Sequence, residues 1–196
     1  MDLKKFLINV VDCVLIIIDI QDHFLAKLPP ERAELLVNRV GWLMEAAKIL
    51  HVPMVVTAEE PDRLDGFLPS LAEKLSPGTR IFDKTVFGLA DQPNILKAVQ
   101  QTSRRTAVLV GMETDVCVSH SAIGLMQNGF QVVAVSDATD SPGGSHEIGL
   151  ERMKEAGALV TSLKVVYYEW IRTVSMSNTI DQEHGKRIGN PAGIIL

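Results

Sequence analysis

Unbroken aliphatic runs alternate along this chain with stretches whose apolar residues recur every three or four positions. VLIIID (14–19), PMVVTAE (53–59), TAVLVG (106–111) and FQVVAVSDA (130–138) are of the first kind. Continuous runs rich in β-branched residues are the pattern of strands covered on both faces. RIFDK (80–84) reads as a weaker strand and ALVTS (158–162) as a sixth. Helical spacing fills the intervals 31–50, 68–75, 92–102, 115–129, 145–157 and 164–174, with Asn128-Gly129 and Gly157 as stops. Strands that alternate with helices predict a three-layer α/β/α fold around a six-stranded parallel sheet. No internal repeat or linker divides the chain. Residues 1–172 are expected to form one domain. Residues 173–196 lose periodicity and are expected to be a tail, ordered only where it packs on this chain or a neighbour.

Composition narrows the function classes. The 196 residues are 46% hydrophobic with a formal net charge of −5, which suits one domain with a core large enough to need no metal or disulfide staples. Basic residues form short pairs, Arg104-Arg105 and Lys186-Arg187, so no nucleic-acid partner is expected. No run approaches the ~20 apolar residues that cross a bilayer, so no membrane partner is expected either. The start, MDLKKFLINVVDCVLIIIDI, has a basic then apolar order, but Asp2, Asn9, Asp12 and Asp19 interrupt it and no small-residue cleavage site follows. It reads as the lead-in to a buried strand, and a cytoplasmic location is expected. GxGxxG and Walker patterns are absent, so no nucleotide cofactor is expected.

Ligands of open α/β sheets bind beyond the carboxyl ends of the strands, near the reversal in strand order. Residues just past those ends include Asp19, Gln21, Asp22 and His23; Thr57, Glu59 and Glu60; Asp83, Lys84 and Phe87; Glu113, Thr114, Asp115 and Cys117; and Ser136, Asp137 and Asp140. An acid, a lysine and one of the two cysteines thus share one edge. Cys117 falls in the first turn of a helix, where free N–H groups and the helix dipole favour a thiolate and can hold an oxyanion. Asp19 can take the thiol proton and Lys84 can stabilise the thiolate. The competing reading is a small, buried, inert cysteine. Cys13 lies at the amino end of the first strand, too far for a disulfide with Cys117, and reads as a structural thiol.

Three motifs, LIIIDIQDHF (15–24), IFDKTVFG (81–88) and VLVGMETDVCVSHSAIGLMQNGFQVVAVSDAT (108–139), resemble those of the isochorismatase-like cysteine hydrolases in order and spacing, over roughly residues 12 to 172. The resemblance implies that family's Rossmann-like six-stranded parallel sheet. It implies a catalytic Asp19, Lys84 and Cys117, an oxyanion hole from the backbone N–H groups of Glu113 and Cys117, and a cis peptide bond between Met112 and Glu113. It implies no cofactor. The reaction so implied is hydrolysis of a small amide or ureide C–N bond through a Cys117 thioester, with Asp19 as proton carrier. Nicotinamidases of this family bind a metal through an Asp-x-His element after strand 2. The matching stretch here, TAEEPDRLDGF, has no histidine, and His51 is at the wrong edge, so no metal is expected. A metal-free nicotinamidase-like enzyme remains one reading. Isochorismatases cleave a vinyl ether without a cysteine, so Cys117 favours acyl transfer over that second reading.

Around this core, His23, Phe24, Phe87 and Thr114 are candidates for the substrate pocket, against surface, core-packing and helix-capping alternatives. Asp115 suits the helix dipole and Asp137 a loop-tying hydrogen bond. Glu59 and Glu60 could reach the pocket from the loop after strand 2 but read rather as solvated loop charge, His120 as a helix residue away from the chemistry, and His146 as a surface residue. Two other classes compete with the hydrolase: a non-catalytic binding or scaffold protein on this fold, and a thiol redox sensor. YYEWIRTV and the apolar end AGIIL suggest contact surface, and with the family's habit they imply a homo-oligomer, dimer or larger.

Overall fold

The aliphatic runs pair side by side. A computed structural model of the chain describes residues 7–196, apart from the side chains of residues 186 and 187; the reading of residues 1–6 as a lead-in lies outside the described residues. Strands β1 (Cys13–Ile18), β2 (Met54–Glu59), β3 (Ile81–Lys84), β4 (Thr106–Met112), β5 (Gln131–Asp140) and β6 (Leu159–Thr161) form one six-stranded sheet in the order β3-β2-β1-β4-β5-β6. Every pairing is parallel. Helices α1 (Asp22–Leu25), α2 (Pro30–Ile49), α3 (Pro69–Ala72), α4 (Pro93–Gln101), α5 (Ser119–Gln127), α6 (Ser145–Glu155), α7 (Leu163–Ile171) and α8 (Val174–Ile188) accompany the strands, with short turns at Val10–Asp12, Leu89–Asp91 and Thr114–Val118. This is the three-layer α/β/α architecture.

Alternation along each strand divides the core. Leu15 and Ile17 of β1, with Val108 and Val110 of β4, pack under α2 and α7. Val14, Ile16 and Ile18, with Ala107 and Leu109, pack under α4, α5 and α6. All six residues of β1 and all seven of β4 are buried, which is why these strands read as continuous apolar runs rather than as alternating ones.

The segment beyond 172 departs from its expected form. Residues Val174–Ile188 are a helix, capped by the Thr173 hydroxyl, which accepts from the Met176 N–H at 3.1 Å. Its Ile180 is buried, and the Trp42 indole N–H reaches past the helix to the Gly189 carbonyl at 2.9 Å. Arg39 donates to the Ala192 carbonyl at 3.1 Å. The segment therefore packs on its own chain. With few apolar positions turned to the core, it carries little of the periodic signal by which a helix is read. The aromatics before it are also spent internally: Tyr167 and Trp170 are buried, whereas Tyr168 is partly exposed. No described helix is long and apolar enough to cross a membrane.

The strand order reverses between β1 and β4, whose carboxyl ends lie side by side with Ile18 opposite Gly111. Gly111 has φ +124°, and a Cβ there would lie 2.0 Å from the Ile18 carbonyl oxygen. Only glycine allows the two strands to approach so closely, directly beside Asp19.

Candidate active site

Four strand ends deliver the site. Asp19 follows β1 in the left-handed region, φ 50°, a conformation aspartate tolerates better than most residues. It is fully buried, and the Thr57 hydroxyl of β2 donates to its Oδ1 at 2.8 Å. Its Oδ2 lies 2.9 Å from the Lys84 ammonium but has no aligned hydrogen bond. Lys84, the last residue of β3, is also fully buried and donates to the Val86 carbonyl at 2.7 Å. Cys117 Sγ lies 3.6 Å from Lys84 Nζ. The three sequence-predicted residues are thus brought together.

Cys117 stands in a single π-helical turn, Thr114–Val118, before α5. The Val118 N–H reaches back five residues to the Glu113 carbonyl at 3.0 Å; such wide turns recur at functional sites. Gly149 of α6 lets that helix press on the turn, since a Cβ there would lie 2.6 Å from the Asp115 nitrogen. The Met112–Glu113 peptide bond is cis. The Glu113 side chain turns away to Lys27 at 2.8 Å.

Glu59 is where the sequence reading needs correction. It is not solvated loop charge. Its Oε2 accepts from Lys84 Nζ at 3.0 Å and from the Cys117 thiol at 3.3 Å. The cause is register: Glu59 pairs with Lys84 across β2 and β3. Buried Gln21 clamps the Glu59 backbone, accepting from its N–H at 2.6 Å and donating to its carbonyl at 2.9 Å. A signal was available in the sequence, because the last residue of one parallel strand faces the last of the next. Glu60 does behave as rim charge, paired with Arg63.

The other candidates separate. Thr114 is buried and bonds His146 Nδ1 at 2.9 Å instead of capping a helix. His146 is therefore a partly buried partner of the turn that carries Cys117, not a surface residue. Phe24 is packed in the core on the α2 side, with exposed His23 edge-on at 5.2 Å. Phe87 is exposed and lines a groove of about 390 Å³ with Glu59, Glu60, Arg63, Thr85 and Val86. His120 faces Phe87, with ring centroids 6.3 Å apart. Asp115 accepts from the Ser141 hydroxyl at 2.7 Å, and Asp137 ties the Leu163 N–H at 2.7 Å.

Burial sets the protonation of the cluster. It pushes the Asp19 carboxyl up to about 6, against the pull of Lys84 and Thr57. It works against the charge of Lys84, but the Asp19 carboxylate and the Cys117 and Glu59 groups outweigh it and hold the ammonium above its usual range. Burial also pushes the Cys117 thiol well up; the Asp19 charge adds to this, Lys84 opposes it, and Glu59 adds again. Burial thus works against the thiolate that the helix end was expected to favour. The donor atoms of Asp19, Glu59 and Cys117 lie within 4.8 Å of one another. They enclose the Lys84 ammonium, so that a metal ion would have to displace an existing cation. His51 is exposed in the turn before β2, at the opposite edge.

Similarity to known proteins agrees with this fold and motif order. Over 164 residues the chain is 29% identical to a secreted isochorismatase effector, Isc1, from Phytophthora sojae, covering 80% of this chain and 75% of the relative. The MAR1 ribonuclease of Caenorhabditis elegans superposes with a TM-score of 0.81 at 25% identity, covering 96% of this chain and 97% of that one. The Escherichia coli YcaC product, described as an octameric hydrolase of unknown specificity, superposes at 0.80 with 23% identity, covering 91% and 90%. The family model of the isochorismatase domain matches residues 13–165, the span from the first strand to the last helix over the sheet, and the chain belongs to the isochorismatase family.

Proposed function

We propose that this protein is a cysteine hydrolase that cleaves a C–N bond of a small amide or ureide through a thioester on Cys117. The observation that carries this reading is the 3.6 Å contact between Cys117 Sγ and a fully buried Lys84, itself 2.9 Å from Asp19. A buried inert cysteine has no use for an ammonium beside it, and burying that charge is costly without a partner.

The steps follow from these groups. Asp19 Oδ2, free of any aligned hydrogen bond, takes the thiol proton as Sγ attacks the carbonyl carbon. The carbonyl π pair moves to oxygen, which the backbone N–H groups of Glu113 and Cys117 stabilise. The C–N bond then breaks, and protonated Asp19 gives its proton to the leaving nitrogen. Asp19, ionised again, takes a proton from water as the water oxygen attacks the thioester carbon; the C–S bond then breaks, the acid leaves, and Asp19 returns the proton to Sγ. Lys84 offsets negative charge throughout. A carboxyl at about 6 is well matched to give and take protons near neutral pH.

Two alternatives have less support. A redox sensor needs a thiolate at rest, and burial opposes one here. A scaffold has no chemical need for the buried cluster. The ribonuclease activity named for the worm relative is also less favoured, since this chain carries a net charge of −5 and two carboxylates at its centre. A homo-oligomer is proposed on weaker grounds, the exposed Val174, Tyr168 and Ile195.

The test is to incubate the protein and its Cys117→Ser variant with a pool of small amides and ureides, with intact-mass analysis and ammonia assay on the same samples. Ammonia or amine release that depends on Cys117, or an acyl adduct on it, is expected. Release by Cys117→Ser at the unsubstituted rate overturns the reading.

A further inference from the structure

Glu59 has the position of a gatekeeper in the chemistry as well as in space. At rest the Cys117 thiol donates to Glu59 Oε2 at 3.3 Å, although Asp19 is the buried base. The same oxygen takes the Lys84 ammonium at 3.0 Å. Glu59 Oε1 has no partner among the described residues, although a carboxylate can accept about four hydrogen bonds. The side chain is 15% exposed, against 0% for Asp19 and Lys84, and it lines the same groove as Thr85, Val86 and Phe87. Glu60 and Arg63 at the rim neutralise each other. A ligand in this groove therefore meets a carboxylate that also touches the sulfur. With the thiol protonated, Asp19, Glu59 and Lys84 together carry one net negative charge.

We propose that Glu59 determines the substrate class: it accepts an N–H of the substrate adjacent to the scissile carbonyl, and so selects uncharged or cationic carboxamides and ureas with a free N–H while excluding anionic ones. In taking that hydrogen bond, Glu59 gives up the thiol's, and the thiol hydrogen turns to Asp19 Oδ2 as Sγ attacks. Activation of the nucleophile is thereby tied to the arrival of a matching substrate. This assignment rests on the hydrolase reading above, but it can be tested without knowing the substrate.

Three alkylating probes separate charge from N–H donation: iodoacetamide, iodoacetate and N,N-dimethyl-2-iodoacetamide. In each, the S–C bond forms as the C–I bond breaks, iodide leaves with the electron pair, and the thiol proton passes to Asp19 or water. Site-resolved mass spectrometry follows Cys117, with glutathione at the same pH as the reference for intrinsic reactivity. Relative to glutathione, iodoacetamide is expected to outpace iodoacetate by about tenfold at Cys117, as repulsion by one nearby unit charge requires. It is expected to outpace the dimethyl amide several-fold. Glu59→Gln is expected to bring the charge ratio within about twofold of glutathione, and Glu59→Leu to erase the N–H preference as well. Wild-type ratios equal to those of glutathione overturn the proposal whether or not either variant folds, and so do biased ratios that a folded Glu59→Gln leaves unchanged. Glutathione-like ratios alongside Cys117-dependent ammonia release sink the Glu59 assignment and leave the hydrolase standing. Biased ratios with no release from any amide do the reverse.

Discussion

Cys13 and Cys117 sit at opposite ends of neighbouring strands, and both are buried thiols whose ionisation burial disfavours. Cys13, at the amino end of β1, donates to the Asn9 carbonyl at 3.2 Å, and burial pushes it up to about 11. Around it are Trp170 and core aliphatics, with the charges of Asp12, Arg104 and Glu169 acting on it less than burial does and, among the described residues, no ion pair at the sulfur. Cys117, past the carboxyl end of β4, has an ammonium at 3.6 Å and two carboxylates within reach. Burial alone therefore does not separate the two cysteines. What separates them is whether a buried proton acceptor and a fixed positive charge lie beside the sulfur, so that the proton can leave at the moment of attack.

Substitution can break that contrast. The largest effect expected is on Cys117→Ser, which should lower turnover of any substrate found by at least about a thousandfold, as loss of a nucleophile does elsewhere; steady-state kinetics checks it. Lys84→Met should come next. It strands two carboxylates, and we expect kcat/KM to fall by about a hundredfold or more and stability by about 3–5 kcal/mol at pH 8. Denaturant melts should show a smaller loss at pH 5, where Asp19 can take up a proton and relieve the stranded charge.

A third effect concerns pH. The folded-state pKa of Asp19, about 6, lies above its unfolded value near 3.8. Between these two values the folded chain binds more protons than the unfolded one. The stability that Asp19 contributes is therefore complete below the unfolded pKa and is lost as pH rises through about 6. Melts from pH 4 to pH 7 should show wild type losing about 2–3 kcal/mol relative to Asp19→Asn. With ionised Asp19 as the base, as the proposed mechanism has it, the acid limb of kcat/KM should fall near pH 6; a limb near 4 would mean that another group is the base. The smallest effect is that of Cys13→Ala. Turnover should stay within about twofold, while stability drops by about 1–2 kcal/mol from the small cavity left behind. A loss of activity there would erase the comparison.

Legibility differed from part to part of the molecule. The six strands were readable because a strand buried on both faces must be apolar at every position, a local property of the chain. The meeting of Asp19, Lys84 and Cys117 was readable because each ends a strand or lies in the segment just after one, and strand ends in a parallel sheet converge on one edge. Glu59 was misread because its role depends on the register of β2 against β3 and on the Gln21 clamp, which joins residues 38 positions apart. The Thr114–His146 pair, 32 positions apart, was missed for the same reason. Helix α8 was hidden by its sparse apolar positions, with Ile180 as its buried anchor.

By itself, then, the sequence determined the alternation of strands and helices, the parallel sheet and the edge on which the chemistry gathers, because these follow from hydrophobic period and strand direction. The tertiary structure decided which charges touch the sulfur, that burial disfavours the thiolate, and that the last helix packs back on its own chain. Those outcomes depend on distances of a few ångströms between side chains on different elements, and on the burial that strengthens every charge interaction there, neither of which any local stretch of sequence contains.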